Sequence, residues 1–488
     1  MRLNLRASAP PREIALPRVA VSLAACLSVL LAAIPTTPLL AQSPRDGLTR
    51  WEAQARALLK ELIEVNTTHS TGSTVLAAEA MAKHMRAAGF PAEDVVVVEN
   101  APRKGNLVVR LRGRDTGRQP MLLLSHIDVV EADPADWTLP PFEFIEKDGT
   151  FYGRGVADDK DEGAIHLTIL LRMKAEGFVP DRDIIVALTA DEEGGPANGV
   201  QWLIENRPEL IRAEYALNEG GGGNVEDGKR ISNDVQASEK KYANFTIEAT
   251  NPGGHSSVPR PDNAIYALSA ALLRIGAHDF PVHLNEVTRE YFRRQASIVG
   301  GELGAAMRAL VANEQDAAAA AIIARDPALN ARMRTACVAT LLEGGHAPNA
   351  LPQRATANVN CRILPDESPE EVLRRLVAAV NDTAVTVTPE GQVQESPPSP
   401  LTPELLRTIE ETTEEMWPGT PVVPTMSTGA TDGLYLRQAG TPVYGVSGLF
   451  YEGSNAHGMN EHIPAKAFYE GLEFMYRLVR KLSAGPGV

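Results

Sequence analysis

The sequence predicts an α/β protein whose layered main part is interrupted by an inserted α+β domain of split βαβ, ferredoxin-like type. Three observations point there. The chain has 488 residues, more than one ordinary core accommodates, so two domains are expected. Short apolar strands alternate with helices from residue 48 to about 190, the pattern of an α/β layer structure. Near Lys240 the order changes to strand, helix, helical insert, strand, strand, helix, strand, and beyond Pro403 the α/β character returns.

The first 42 residues stand apart. Arg2, Arg6, Arg12 and Arg18 form a positive head, an apolar run spans Val19 to Ile34, and small residues lead to a cleavage point after Ala41. Residues 1–42 read as a signal peptide directing the protein to the periplasm or out of the cell. The run falls short of the ~20 residues plus margins that a bilayer span prefers, so no stable membrane span is expected after cleavage. An uncleaved anchor is one competing reading. Lipoprotein attachment at Cys26, within Leu23-Ala24-Ala25-Cys26, is another.

Residues 43–238 form the first part of the main domain. Helix is expected over 48–90, with Leu58, Leu59, Leu62, Ile63 and Val65 on one stripe, a second stripe from Val75 to Ala88, and Gly89 as the stop. Strands are expected at Val95–Val98, Leu107–Leu111, Met121–Leu124 and Asp183–Leu188, and an apolar helix at Ile165–Lys174. Residues 239–391 form the inserted domain. It comprises a strand at Ala243–Ala249, a helix from Asn263, an alanine-rich helical segment at 283–332 with no visible chemistry, strands at Thr335–Leu342 and Ala355–Leu364, a helix at Pro369–Val380 and a strand at Ala384–Thr388. The Pro- and Ser-rich stretch Gln392–Pro403 then leads into residues 392–488, which complete the main domain.

Composition narrows the function. Hydrophobic residues make up 44% and charged residues 22%, as in soluble globular proteins. A net charge of -15 without basic clusters argues against nucleic acid as a partner. Once Cys26 leaves with the signal, Cys337 and Cys361 remain, both in strand-like runs. A disulfide and two buried free thiols stand as equal readings. Two cysteines cannot build a structural zinc site unaided, so any metal here must use His and carboxylates.

Five segments place such groups at the ends of apolar runs. In Leu124-Ser125-His126-Ile127-Asp128 a strand delivers His126 and Asp128 on one face, because side chains two apart point the same way. A carboxylate beside an imidazole is how metal-bound His is oriented. A glycine-rich turn, Gly153-Arg154-Gly155, leads to Asp158 and Asp159, where one carboxylate can bridge two cations, or Asp159 or Asp161 can simply cap the next helix. Asp191-Glu192-Glu193 ends a buried strand, and one glutamate can bind metal while the other works as a base. Glu219 ends another apolar run, and His457 and Glu461 lie late in the chain. Alone, the His126 segment reads rather as a surface turn, the Asp191 segment equally as a solvated acidic turn, and a lone His457 more often as structural. Together, His126, Asp158, Glu193, Glu219 and His457, with Asp158 counted twice, supply the six hard donors that two divalent ions need, and Glu192 is left free beside them. His69, His84 and His166 fall in stretches read as helical and are taken as structural.

These motifs resemble those of the di-zinc peptidases that include glutamate carboxypeptidase, aminoacylase, carnosine dipeptidase and succinyl-diaminopimelate desuccinylase. The resemblance covers roughly residues 50–480 and rests on His-x-Asp-Val-Val at His126, Gly-Arg-Gly-x-x-Asp-x-Lys at Gly153, Asp-Glu-Glu at Asp191, Gly-Gly-His-Ser-Ser at Gly253 and His-x-x-Asn-Glu at His457. It implies a mixed-sheet di-zinc peptidase catalytic domain, with the inserted domain as a lid that also forms a homodimer. It implies that His126, Asp158 and Glu219 hold one ion and that Asp158, Glu193 and His457 hold the other. The ions would be zinc, with cobalt or manganese as alternatives. Glu192 becomes the general base, Asp128 the residue that orients His126, and a cis peptide is expected between Asp158 and Asp159. His255 is implied to assist a developing negative charge, Asn349 and Arg362 to hold a substrate carboxylate, and Gly429 to line the pocket. Asp161 departs from the family, which often has Gly there, and Glu219 occupies a position that varies between Glu and Asp.

The function this implies is metal-dependent cleavage of a peptide or amide bond in a small substrate with a free carboxylate, by a carboxypeptidase or dipeptidase. An N-acyl-amino-acid hydrolase is the alternative, and an inactive exported peptide-binding protein is a third reading, since a fold can outlive its activity.

Overall fold

The computed structural model describes residues 47–115 and 117–484. The expected signal peptide and Cys26 lie outside them. The first expected helix is two, Arg50–Glu64 and Thr74–Ala87. The polar stretch between them turns back on itself: Asn66 Oδ1 accepts the Thr68 N–H at 2.9 Å, and the Asn66 carbonyl accepts the Ser73 N–H at 2.9 Å. Side-chain oxygens that bond their own backbone in this way compete with helix.

A nine-stranded mixed sheet organises the main part. Its order is Val95–Ala101, Lys104–Leu111, Ile184–Thr189, Met121–His126, Tyr215–Asn218, Val443–Gly445, Lys229–Glu239, Val422–Ser427, with Gly222–Glu226 paired to Lys229–Glu239 off this path. The apolar runs read as strands are fully buried, Met121–His126 and Ile184–Thr189 over their whole length. The helices Arg50–Glu64, Thr74–Ala87, Lys160–Ala175 and Ala465–Ser483 contribute to the core on one face, and Gly199–Asn206 to a smaller core on the other.

Lys241–Thr250, Ala336–Gly344, Arg354–Ile363 and Val385–Glu390 form a separate antiparallel sheet. In chain order they lie second strand, third, first, fourth, the ferredoxin-like arrangement. Helices Ala264–Gly276 and Pro369–Val380 share an apolar core with them. Cys337 and Cys361 face each other across paired strands and form a disulfide, which decides between the two readings of these residues. The alanine-rich segment has its own core, built by helices Glu286–Val299, Gly301–Ala312, Ala317–Ile323 and Pro327–Met333. That core includes Val423, so these helices pack on the edge strand Val422–Ser427 of the main sheet.

Candidate metal centre

Parallel pairing decides where the chemistry collects. Met121–His126 runs parallel to both Ile184–Thr189 and Tyr215–Asn218, so the three strands end on the same edge of the sheet. In α/β sheets ligands gather at such carboxyl ends. His126 closes the first strand, Glu192 and Glu193 follow the second, and Glu219 follows the third. Glycine makes the last approach possible: a Cβ at Gly221 would stand 2.0 Å from the Gly445 carbonyl oxygen.

Asp158 sits at the centre. Its Oδ1 lies 2.9 Å from His126 Nε2 and its Oδ2 lies 3.1 Å from His457 Nε2. Glu193 Oε1 lies 3.0 Å from the same nitrogen of His457, and Glu219 Oε1 4.0 Å from His126 Nε2. Donor atoms of His126, Asp158 and Glu193 fall within 4.8 Å of one another, and so do those of His126, Glu192 and Glu219. The five expected ligands and Glu192 are therefore brought together from five separated segments. Glu192 enters a donor group as well as standing beside it.

The charge balance of the cluster calls for cations. Four carboxylates meet two imidazoles in a partly shielded site, with His126 buried and His457 56% exposed. Burial and the neighbouring Glu219 charge push Glu192 well above the usual carboxylate range. Burial and Asp158 push Glu193 up to about 7, and burial raises Glu219. Burial also acts to raise Asp158, but hydrogen bonds from His126 and His457 outweigh it and hold that carboxyl well below its ordinary value. The Asp158 hydrogen bond raises His457 to about 9. A crowded, partly buried excess of negative charge is costly unless paired, and hard oxygen and imidazole donors suit two divalent ions. The residues present therefore fit such a pair, with Asp158 offering one oxygen to each side.

The supports of the cluster differ in part from expectation. Asp128 stands beside His126 with both its backbone and its side chain. His126 Nδ1 lies 3.1 Å from the Asp128 backbone carbonyl, which fixes the ring, whereas the nearest carboxylate oxygen is 3.7 Å away. The Asp128 carboxylate also accepts the N–H groups of Glu192 and Glu193, at 3.1 and 3.0 Å. Asp191 precedes them at φ 58° and is held by Lys104. His69 lies 3.3 Å from the Lys104 amine, in the turn between the first two helices rather than in a helix. His84 bonds Glu61 at 2.5 Å and His166 bonds Ser125 at 2.8 Å. The peptide between Asp158 and Asp159 is cis. Asp161 is buried with neither carboxylate oxygen hydrogen-bonded, and the helix still begins at Lys160.

Two supports carried no role in the sequence reading. Arg154 donates to Glu461 at 2.7 Å and to the carbonyls of His457 and Gly458 at 3.2 and 3.0 Å. Glu461 in turn accepts the N–H groups of Gly155 and Ala157 at 3.1 and 2.9 Å. This buried pair fastens the loop of His457 to the turn of Asp158. The signal was present in Gly-Arg-Gly and His-x-x-Asn-Glu, each holding one partner, but their pairing over 307 positions was not.

The remaining expected residues lie elsewhere. His255 lies in a short two-stranded antiparallel ladder, Gly254–His255 with Ala350–Leu351, which Asn349 immediately precedes; His255 Nδ1 lies 2.7 Å from Ser257 Oγ and the Asn349 carbonyl accepts the Ser256 N–H at 3.0 Å. Arg362 lies on the four-stranded sheet with its guanidinium 4.8 Å above the Tyr242 ring. Gly429 follows strand Val422–Ser427 and donates its N–H to Ser427 Oγ at 3.0 Å.

Known proteins share this fold. Residues 122–481 match the model of Peptidase family M20/M25/M40. The chain is 27% identical over 383 residues to the human N-fatty-acyl-amino acid synthase/hydrolase, covering 76% of this chain and 75% of that one. It superposes on an M20 family metallo-carboxypeptidase from Sulfolobus solfataricus with a TM-score of 0.63 at 18% identity, covering 88% of this chain and 98% of that one. It also superposes on a dinuclear metal binding M20 peptidase from Bacillus subtilis with a TM-score of 0.55 at 11% identity, covering 88% and 98%. With three quarters of its length matched and the acidic cluster assembled, the chain belongs to peptidase family M20/M25/M40.

Proposed function

We propose that this protein is an exported hydrolase that cleaves a peptide or amide bond in a small substrate with a free carboxylate, as a carboxypeptidase or dipeptidase. One observation carries the reading: the two oxygens of Asp158 each face a different imidazole inside a ring of glutamates. His126, Asp158 and Glu219 would hold one divalent ion, and Asp158, Glu193 and His457 the other, with zinc the first choice and cobalt or manganese alternatives. When bound, the ions supply positive charge that polarises the scissile carbonyl and acidifies water. Glu192 takes the proton of the attacking water and later delivers it to the leaving amine. Burial and the Glu219 charge raise its pKa. Asp128 fixes the backbone of Glu192, and so the reach of its carboxylate.

Arg362 pairs with no carboxylate among the described residues, which supports its role toward a substrate carboxylate, a role Asn349 would share. His255 would stabilise the developing oxyanion and Gly429 would line the pocket. Val338, Leu341 and Leu342 are exposed on the edge strand Ala336–Gly344, which supports a homodimer through the inserted domain. The disulfide supports export to an oxidising compartment.

The N-acyl-amino-acid hydrolase reading draws on the human relative's name. A panel of dipeptides and N-acyl amino acids separates the two. Hydrolysis should vanish on chelation and return with Zn, Co or Mn, and a metal-loaded protein inert on the whole panel would refute the proposal.

A further inference from the structure

A cavity of about 590 Å³ opens beside Asp158 and Glu219. Its wall is mainly polar. It includes the glycine backbone of 220–223, Asn224, the hydroxyls of Thr425 and Ser427, and Arg332, together with the carboxylates of Asp159, Glu162 and Asp234. Arg332 belongs to helix Pro327–Met333, part of the alanine-rich segment that the sequence leaves without a role.

Arg332 is the one cation in that wall among the described residues, and no carboxylate pairs with it. Its guanidinium lies 5.0 Å from the Tyr291 ring, and its Nε is buried without an acceptor. Asp234, also in the wall, takes a hydrogen bond from Ser232 Oγ at 2.5 Å. Burial raises the Asp234 carboxyl, and the Ser232 hydrogen bond and the nearby Arg332 charge act against that rise.

We infer that this cavity is the subsite for the part of the substrate on the acyl side of the scissile bond, and that Arg332 selects small acyl or aminoacyl groups ending in a carboxylate. The inference rests on the hydrolase reading above and deepens it. A guanidinium with free donors suits a carboxylate. A long hydrocarbon chain would desolvate the hydroxyls, the amide and Arg332 without replacing their hydrogen bonds. The cavity therefore separates this chain from the fatty-acyl chemistry in the human relative's name. The competing view makes Arg332 a strut that braces its helix on Tyr291, and a strut would serve every substrate alike.

The test compares kcat/KM within isosteric pairs on the metal-loaded protein: N-glutaryl amino acids against their terminal-amide counterparts, and dipeptides with N-terminal Glu against Gln. N-oleoyl amino acids form a third arm. The wild type should favour the charged member by about tenfold or more and turn over the oleoyl substrate least. Arg332→Gln should bring the ratio close to one, and Arg332→Lys should keep part of it. A ratio near one in the wild type, an unchanged ratio in Arg332→Gln, or a preference for oleoyl overturns the inference and leaves the hydrolase reading intact. No turnover of any arm overturns both.

Discussion

The carboxylate of Asp128 accepts the backbone N–H of Glu193 at 3.0 Å, and its other oxygen accepts that of Glu192 at 3.1 Å. One buried side chain at the end of one strand thus sets the position of a candidate ligand and the candidate base at the end of the next. Asp128→Ala removes both anchors at once. Activity and metal affinity should fall together by about 10–100-fold, the usual cost of losing a supporting partner of a metal site. Titration of the apo protein with zinc, alongside kcat, checks this, and a variant with unaltered affinity and rate would return Asp128 to a passive role.

Glu192 and Asp158 should separate chemistry from metal binding. Glu192→Gln should lose about 10²–10⁴-fold in kcat, the range for a general base, with metal content preserved. Asp158→Ala should lower the metal content itself, because each of its oxygens faces a different imidazole. Elemental analysis of both purified variants distinguishes the roles.

Arg154 and Glu461 bury almost their whole side chains, 3% and 1% exposed, at 2.7 Å from each other. Removing one partner strands the other charge at a cost of about 3–5 kcal/mol. Arg154→Ala should therefore lower the urea midpoint. It should also weaken metal binding, because the His457 carbonyl loses its donor. A variant that is destabilised but binds metal as tightly as the wild type would show that this pair serves the fold alone.

His166 predicts a direction for acid stability. Burial lowers its pKa from 6.5 to about 3. Between these values the unfolded chain binds a proton that the folded chain does not, so stability falls as pH drops through that window. The loss is on the order of a few kcal/mol. His166→Gln should flatten the acid limb of the stability curve between pH 6.5 and about 4, measured by urea unfolding at each pH, and parallel curves would count against it.

The disulfide closes a loop over a sequence separation of 24. By the chain-entropy argument it contributes about 3 kcal/mol. Reduction, or the Cys337→Ala, Cys361→Ala double variant, should lower the unfolding midpoint, and equal midpoints with and without reductant would mean the bond contributes nothing.

Local pattern along the chain was enough for the layered α/β class, the inserted split βαβ domain and the six residues of the acidic centre. These were legible because strand periodicity and short motifs are local: His126 and Asp128 lie two apart, and Glu192 and Glu193 adjoin. Other features emerged only on folding. The first helix breaks at residues 65–73, where side-chain hydrogen bonds compete with the helix within a few residues but only the folded turn shows which side wins. The Asp128 carboxylate also holds two backbone amides, Arg154 pairs with Glu461, and the alanine-rich helices pack on the edge of the main sheet with Arg332 in the wall of the cavity. Each of these depends on which strand ends converge on one edge, and pairings between segments tens to hundreds of residues apart leave no periodicity in the chain.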